Sequence, residues 1–335
     1  MKAIQMTEQG GPEVLRQVEL PDPQPGPGQV LIRVESAAVN FSDVMRRRGD
    51  VYPVATPSPF VPGAEVAGTV VALGPGVDGP AVGTKVFGSV GADGSGGYAE
   101  LALAYAPSLI PIPEGLDSDA AAGIVVSGLA ATVILTELIE LRKGQSVFIP
   151  AAAGGVGQYA VQIAKLLGAD TVIAGASTPA KRQIALDLGA DHAVDYTQDD
   201  WPEEVRELTG GVGVDGALEM SGPARLAQTL RVLAPFGRLV VLGSVSGTTE
   251  GLDPAALAPL LYDPAPSQSL IGFNLGIWFE HRLPEAGKAL HRLVGWVASG
   301  EVRTPATQPL PLAEAAEAHR LLETGQTTGK LILKP

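Results

Sequence analysis

The sequence predicts an α/β fold: a doubly wound parallel sheet inserted into an irregular, all-β body. Three observations carry this. Through about residue 120 the chain alternates short β-branched runs with glycine and proline turns. From residue 122 onward apolar strands alternate with helical segments, the pattern of a parallel sheet covered by helices. The final run GKLILKP (Gly329 to Pro335) is again strand-like, so the chain returns to the β body at its end.

Each element follows from its residues. Met1-Lys2-Ala3-Ile4 opens a strand, and PDPQPGPG (Pro21 to Gly28) is a rigid loop. QVLIRVESAAV (Gln29 to Val39) and EVAGTVVALG (Glu65 to Gly74) are strands rich in β-branched residues. YPVATPSPFVPG (Tyr52 to Gly63) holds Pro53, Pro57, Pro59 and Pro62, which excludes helix and central strand. A helix over Ile124 to Leu141 precedes the strand Gln145 to Pro150. Then come the helix Val156 to Leu167, the strand Thr171 to Gly175 and the helix Pro179 to Leu188. The strand His192 to Tyr196, the helix Trp201 to Thr209 and the strand Val214 to Met220 continue the series. It closes with the helix Pro223 to Leu233, the strand Gly237 to Gly243, the strand SLIGFN (Ser269 to Asn274) and a helix over Pro284 to Ser299.

Composition narrows the function. Of 335 residues 45% are hydrophobic and only 18% charged, enough for two cores and against disorder. The net charge of −13 repels nucleic acid, and the only dense basic run, Arg46-Arg47-Arg48, reads as a solvated helix face. The most apolar stretch, Ala120 to Leu135, is short for a membrane span and carries Gly123, Ser127, Gly128 and Thr132. No secretory pattern opens the chain, so a cytoplasmic location is expected. With no cysteine there is neither disulfide nor thiolate chemistry. The four histidines (His192, His281, His291, His319) do not make a tetrahedral ligand set, and no metal is expected.

The most informative stretch is VFIPAAAGGVGQYAVQIAKLLGA. A strand ends at Pro150, a helix opens near Val156, and the dinucleotide fingerprint maps onto Ala152, Gly154 and Gly157, with alanine replacing its first glycine. A pyrophosphate needs backbone amides free of Cβ atoms at a helix N-terminus. Gly154 and Gly155 allow that approach, and Gly157 lets the helix pack on the strand. The next strand ends at Gly175, Ala176 and Ser177 without the acid that would bind a ribose 2′-hydroxyl, while Lys181, Arg182 and Tyr196 follow. This favours NADPH over NADH; the other reading of Lys181 and Arg182 is a solvated helix face.

VNFSD (Val39 to Asp43), GDVYP (Gly49 to Pro53), VPGAEVAGTV (Val61 to Val70), GGYAE (Gly96 to Glu100), SGLAA (Ser127 to Ala131) and TTGKLILKP join the glycine turn in one pattern. Together they resemble the medium-chain dehydrogenase/reductase superfamily over essentially the whole chain, in its zinc-free quinone oxidoreductase branch, which includes the zeta-crystallins. The zinc enzymes of that superfamily carry histidine before the glutamate of the glycine-rich motif; this chain has Ala64 before Glu65. The resemblance implies a Rossmann NADPH-binding domain over residues 123–274 and a partly barrel-like, GroES-like substrate domain over 1–122 and 275–335. It implies that Asn40, Asp43 and Tyr52 line the cleft beside the nicotinamide as the catalytic candidates. For the cofactor it implies Ser127, Ala152 and the Gly154, Gly155, Val156, Gly157 turn. Ser177, Lys181 and Tyr196 would meet the 2′-phosphate. Gly243 and Ser244 in the loop Leu242 to Gly247, Phe273, Asn274 and Leu275, and Lys330 would border the nicotinamide. Blander readings stand beside these: Asn40 and Asp43 as turn caps, Tyr52 as an interface aromatic, Glu65 as a buried acid tying the β body together. Two departures are Ala130, where these reductases often have threonine, and a segment from Asp43 to Tyr52 that is one residue longer than in several relatives.

The expected activity is reduction of quinones or other α,β-unsaturated carbonyls by hydride transfer from NADPH, with a small-molecule substrate and no membrane or nucleic-acid partner. The alternatives are a 2-enoyl-thioester reductase and a non-catalytic NADPH-binding structural protein. SLIGFN is expected to be an exposed edge strand that pairs two copies into a homodimer, unless a loop such as Asp263 to Gln268 covers it.

Overall fold

The computed structural model describes residues 1–245 and 267–335, and Ser246, Gly247 and residues 263–266 of the segments named above lie outside them. By its contacts the chain divides into two units, Met1–Val126 with Thr304–Pro335, and Ser127–Arg303.

The first unit is built on β3 (Gln29–Ala38), which follows the antiparallel pair β1 (Lys2–Gln5) and β2 (Arg16–Glu19). β3 pairs antiparallel with β4 (Glu65–Leu73), β4 with β5 (Lys85–Ser89), and β5 with β7 (Leu109–Pro111), while β6 (Leu101–Tyr105) also joins β3. Register shifts at Leu31/Ile32 and Val34/Ser36 bend the central ladder. Alternate residues Val30, Ile32 and Val34 enter a core with Ile4, Val66, Val70, Val86 and Tyr98.

Among its described residues the second unit holds six parallel strands: β8 (Ser146–Ile149), β9 (Thr171–Gly175), β10 (His192–Val194), β11 (Val214–Glu219), β12 (Leu233–Val241) and β13 (Ser269–Gly272). Their order is β10-β9-β8-β11-β12-β13, the doubly wound 3-2-1-4-5-6 arrangement. Phe148 stacks on Trp201 at 4.8 Å in its core, beside Ile173, Val205 and Leu239. β12 begins earlier than the sequence suggests. The ladder resumes from Val214/Leu233 to Gly216/Arg238 through an irregularity, with Phe236 at φ 64°.

The helix expected over Ile124 to Leu141 forms, but with π-helical turns at Val125–Leu129 and Ile134–Leu138 around Ala130–Val133. The unit boundaries also differ from those read at 122/123 and 274/275. The helices Leu275–His281 and Leu283–Ser299 pack with the nucleotide-type unit, because Phe273, Leu275, Trp278, Ala289 and Leu290 cluster on Leu129 and Val133. Gln162 Nε2 donates to Arg303 O (2.9 Å) and Arg303 N to Gln162 Oε1 (2.8 Å), fastening the end of the segment.

The chain then returns to the first unit. β14 (Thr307–Pro311) runs parallel to β15 (Lys330–Lys334), and β15 pairs antiparallel with β3 at Ala37 and Ala38. Between them the helix Ala315–Glu323 buries Ala315, Ala318 and His319, spaced as one helix face. Among the described residues no helix is long and apolar enough to cross a membrane.

Candidate functional site

In the second unit the turn after β8 brings Ala151 to φ 48° and sends Ala152 N to Gly175 O at 3.1 Å. Gly154 is the N-cap of the helix Gly155–Leu166 and, being glycine, brings no side chain to cap it. The amides of Gly155, Val156 and Gly157 therefore open the helix at the positive end of its dipole, a cradle for phosphate. A Cβ on Gly157 would fall 2.4 Å from Ala151 O and 2.6 Å from Ala152 Cα, so only glycine lets the helix approach the turn. Gln158 Nε2 donates to Ala153 O (2.8 Å) and pins the turn from within.

β9 and β10 run side by side, with Val194 opposite Gly175, so Ser177, Lys181 and Tyr196 follow neighbouring strand ends. Thr178 caps the next helix through Lys181 N at 3.3 Å. Burial pushes the Lys181 ammonium below its ordinary value. The Tyr196 ring lies against Gly175, where a Cβ would meet Cδ1 at 2.7 Å, and the Arg225 guanidinium sits 4.2 Å from its centroid. Arg182 belongs to Asp195, at 2.9 Å. Arg225, which sequence reasoning missed, is the cation over Tyr196; its place on the helix Pro223–Arg231, beyond the next strand, left no local signal.

Gly243 and Ser244 follow β12, and Phe273, Asn274 and Leu275 follow β13. Backbone bonds from Leu242 N to Glu219 O (2.9 Å) and Phe273 N to Val241 O (2.8 Å) align these strand ends. They lie at the carboxyl end of the sheet, the ligand side in open α/β folds. Asn274 Oδ1 accepts from Gly276 N at 2.9 Å and caps the helix behind it. Ser127 is buried in the first π-helical turn.

The first unit gathers a buried polar network. Lys330 Nζ donates to Asn40 Oδ1 (2.7 Å), Glu65 Oε1 (3.2 Å) and Val39 O (3.4 Å). Asn40 Nδ2 donates to Glu65 Oε1 at 3.0 Å, and Val126 N to Glu65 Oε2 at 2.8 Å. Glu65 is fully buried and Lys330 is 5% exposed, so the pair is an internal ion pair tying β15, β4 and the end of β3 together. The structural reading of Glu65 thus holds.

Asn40 is also the N-cap of the helix Phe41–Arg48, and Asp43 Oδ2 accepts from Asn40 N at 2.9 Å. Asp43 Oδ1 accepts from Gly63 N (3.2 Å) and Oδ2 from Tyr98 Oη (3.2 Å). Burial pushes the Asp43 carboxyl up to about 6 against these donors. Tyr98 Oη lies 3.1 Å from His319 Nε2, while His319 Nδ1 is buried without a partner among the described residues. A bare lone pair there is less costly than a buried N–H without an acceptor, which puts the proton on Nε2. His319 then donates to Tyr98 and Tyr98 to Asp43. Burial, with Arg47 adding, holds the imidazole down to about 3. Tyr98 and His319 were not singled out from the sequence; the signals were the tyrosine of GGYAE and the spacing of Ala315, Ala318 and His319.

Tyr52 stands on the proline-rich segment. Burial raises its phenol above the ordinary value, as do Asp43 and Asp93, while Arg46 and a hydrogen bond with Ser42 oppose this. The basic run is not a solvated face. Arg46 is 2% exposed and Arg47 fully buried, because Arg46 binds Asp93 (2.9 Å) and Arg47 reaches Gly10 O (2.9 Å) and Glu323 (2.5 Å).

Residues 26–114 match the alcohol dehydrogenase GroES-like domain family and residues 155–286 the zinc-binding dehydrogenase family. A quinone oxidoreductase of Pseudomonas aeruginosa is 35% identical over 337 residues, covering 100% of this chain and 99% of that protein. The chain belongs to the medium-chain dehydrogenase/reductase superfamily, in its quinone oxidoreductase branch. A 2-haloacrylate reductase of a Burkholderia species is 34% identical over 332 residues, with 98% of this chain and 97% of that protein covered. The crystal structure of Escherichia coli quinone oxidoreductase complexed with NADPH superimposes with a TM-score of 0.91 at 30% identity, covering 100% of both chains.

The zinc named in one of the two matching families does not fit the residues present. The chain has no cysteine, and Glu65 is engaged by an ammonium, an amide and a backbone N–H. Among the described residues no three His, Cys, Asp or Glu side chains converge.

Proposed function

We propose that this protein is an NADPH-dependent reductase of quinones and other α,β-unsaturated carbonyls that works without zinc. The observation that carries the cofactor half is the end of β9: Gly175, Ala176 and Ser177 offer no carboxylate to a ribose, and Lys181 and the Arg225-backed Tyr196 stand beside it. The uncapped glycine turn at Gly154 to Gly157 supports the same reading, as does the NADPH in the E. coli relative. The names of the two curated relatives support electron-poor conjugated acceptors.

NADPH, when bound, supplies the hydride. The chain's own residues hold the reactants and manage charge and protons. Amides of Gly155, Val156 and Gly157 would hold the pyrophosphate, and Ser177, Lys181 and Tyr196 the 2′-phosphate. Gly243, Ser244, Phe273, Asn274 and Leu275 would border the nicotinamide. Asn40 keeps a fixed orientation because Lys330 binds its oxygen and Glu65 its nitrogen. The Tyr52 phenol, protonated at neutral pH by its ordinary acidity and made a still weaker acid by burial, is the proton donor to the reduced acceptor. The reading includes a cytoplasmic location and a homodimer joined through β13.

Oxidation of NADPH with a panel of quinones, enones and enoyl-CoA esters tests it. Turnover with quinones or enones is expected. Turnover with enoyl thioesters alone would replace the proposal with thioester reduction, and no turnover despite NADPH binding would make the protein a non-catalytic binder.

A further inference from the structure

Arg46 is a buried cation whose donors are used on two loops. Nη2 donates to Ala55 O (2.9 Å) and Asp93 Oδ2 (2.9 Å), Nη1 to Asp93 O (2.9 Å) and Gly94 O (3.3 Å), and Nε to Thr56 Oγ1 (3.2 Å). Its guanidinium carbon lies 4.2 Å from the Phe60 ring centroid and 5.4 Å from that of Tyr52, both within cation–π range. One side chain thus joins the Tyr52–Phe60 segment to the Asp93–Gly94 turn.

We propose that Arg46 is the positioning residue for Tyr52: it clamps the two loops around the phenol and holds a fixed positive charge against the ring. A segment with Pro53, Pro57 and Pro59 makes few ladder bonds of its own, so its placement depends on such a clamp. Lysine would bring the charge but not the fork that spans both loops. The charged and polar groups facing Tyr52 are Asp43, Arg46, Asp93 and Ser42. Asp93 itself stays below its ordinary value although burial raises it, because Ser95 and Arg46 hydrogen-bond it. Removing Arg46 leaves two carboxylates against the phenol with no cation to oppose them, so the phenol becomes a weaker acid.

The proposal rests on the reading of Tyr52 as proton donor, and its test has an arm independent of turnover. Protein labelled at tyrosine Cζ is titrated by NMR, the Tyr52 signal being assigned by its loss in Tyr52→Phe. In Arg46→Met the Tyr52 midpoint is expected to rise by about one pH unit or more. With a quinone acceptor kcat is expected to fall about tenfold, and the same substitution to do little more in Tyr52→Phe. An unmoved midpoint, or a kcat loss that multiplies in full with that of Tyr52→Phe, overturns it. If no acceptor is reduced at all, the proposed function fails while the titration still decides the role of Arg46. Should Arg46→Met not fold, Arg46→Lys takes its place. There the midpoint is expected to stay and the acceptor KM to rise about fivefold or more; an unchanged KM overturns the clamp.

Discussion

His319 and Asp43 sit at the two ends of one hydrogen-bonded chain and respond to pH in opposite directions. The imidazole is held down to about 3, whereas an unfolded histidine titrates near about 6.5. Its contribution to stability is therefore present above that unfolded value and is lost as pH falls toward 3, at up to about 1.4 kcal/mol per pH unit. Asp43, raised to about 6, contributes stability below about pH 4 that is lost as pH rises through 6. Urea denaturation of wild type and His319→Gln between pH 3 and 7 checks this: the variant is expected to lack the acid loss, and parallel curves would refute it. At the Glu65–Lys330 pair, Lys330→Met leaves a buried carboxylate without its cation and is expected to cost about 3–5 kcal/mol in urea. Adding Glu65→Gln should recover most of that. Asn40, Asp43 and Glu65 could be singled out because motifs framed them, and the structure brings the three into one buried hydrogen-bond network. Arg46 and Arg47 could not be singled out, because three adjacent arginines look solvated until loops distant in sequence fold over them.

At the level of elements, the tight turn between β8 and its helix separates stability from binding. Gly157→Val puts a Cβ into Ala151 O and Ala152 Cα, so the helix must lift. We expect a lower melting temperature and NADPH affinity weakened by about tenfold or more. A Cβ on Gly154 falls 3.2 Å from Ala151 O, a tight contact but far looser than those at Gly157, with φ −85°, so Gly154→Ala should cost much less stability than Gly157→Val while still losing affinity. Melting curves and fluorescence titration distinguish the two; equal affinity loss without destabilisation in both would contradict the packing argument. The β8–β13 series was readable because strand and helix periods alternate cleanly. The helix Leu275–His281 was hidden, since GFNLGIWF continues the apolar run of β13 without a helical period. The π-helical turns around Ala130–Val133 leave no sequence mark either, because a one-residue slip in the hydrogen bonds does not change the apolar composition.

For the whole molecule, β13 is the terminal strand of the six-stranded sheet, paired among the described residues with β12 alone, and Leu270 on it is 39% exposed. It carries neither lysine nor proline to deter pairing. We propose that two copies join here about a two-fold axis. Sedimentation at micromolar concentration should show a dimer, and Ile271→Pro should dissociate it by removing a ladder donor; a wild-type monomer at all concentrations would refute the interface. The two-part organisation was legible from the change of pattern near residue 122. The return point was not, because helices after a final strand carry no label of the core they join; the cluster on Leu129 and Val133 assigns them.

The proposed reaction is NADPH-dependent reduction without a metal. It is tested most directly by following NADPH and NADH absorbance with a simple quinone, using protein before and after exhaustive chelation. Quinone-dependent NADPH oxidation that chelation leaves unchanged is expected, with NADH turnover lower in kcat/KM by about tenfold or more. Lys181→Ala should narrow that preference. Activity that disappears with the metal, or a preference for NADH, would contradict it.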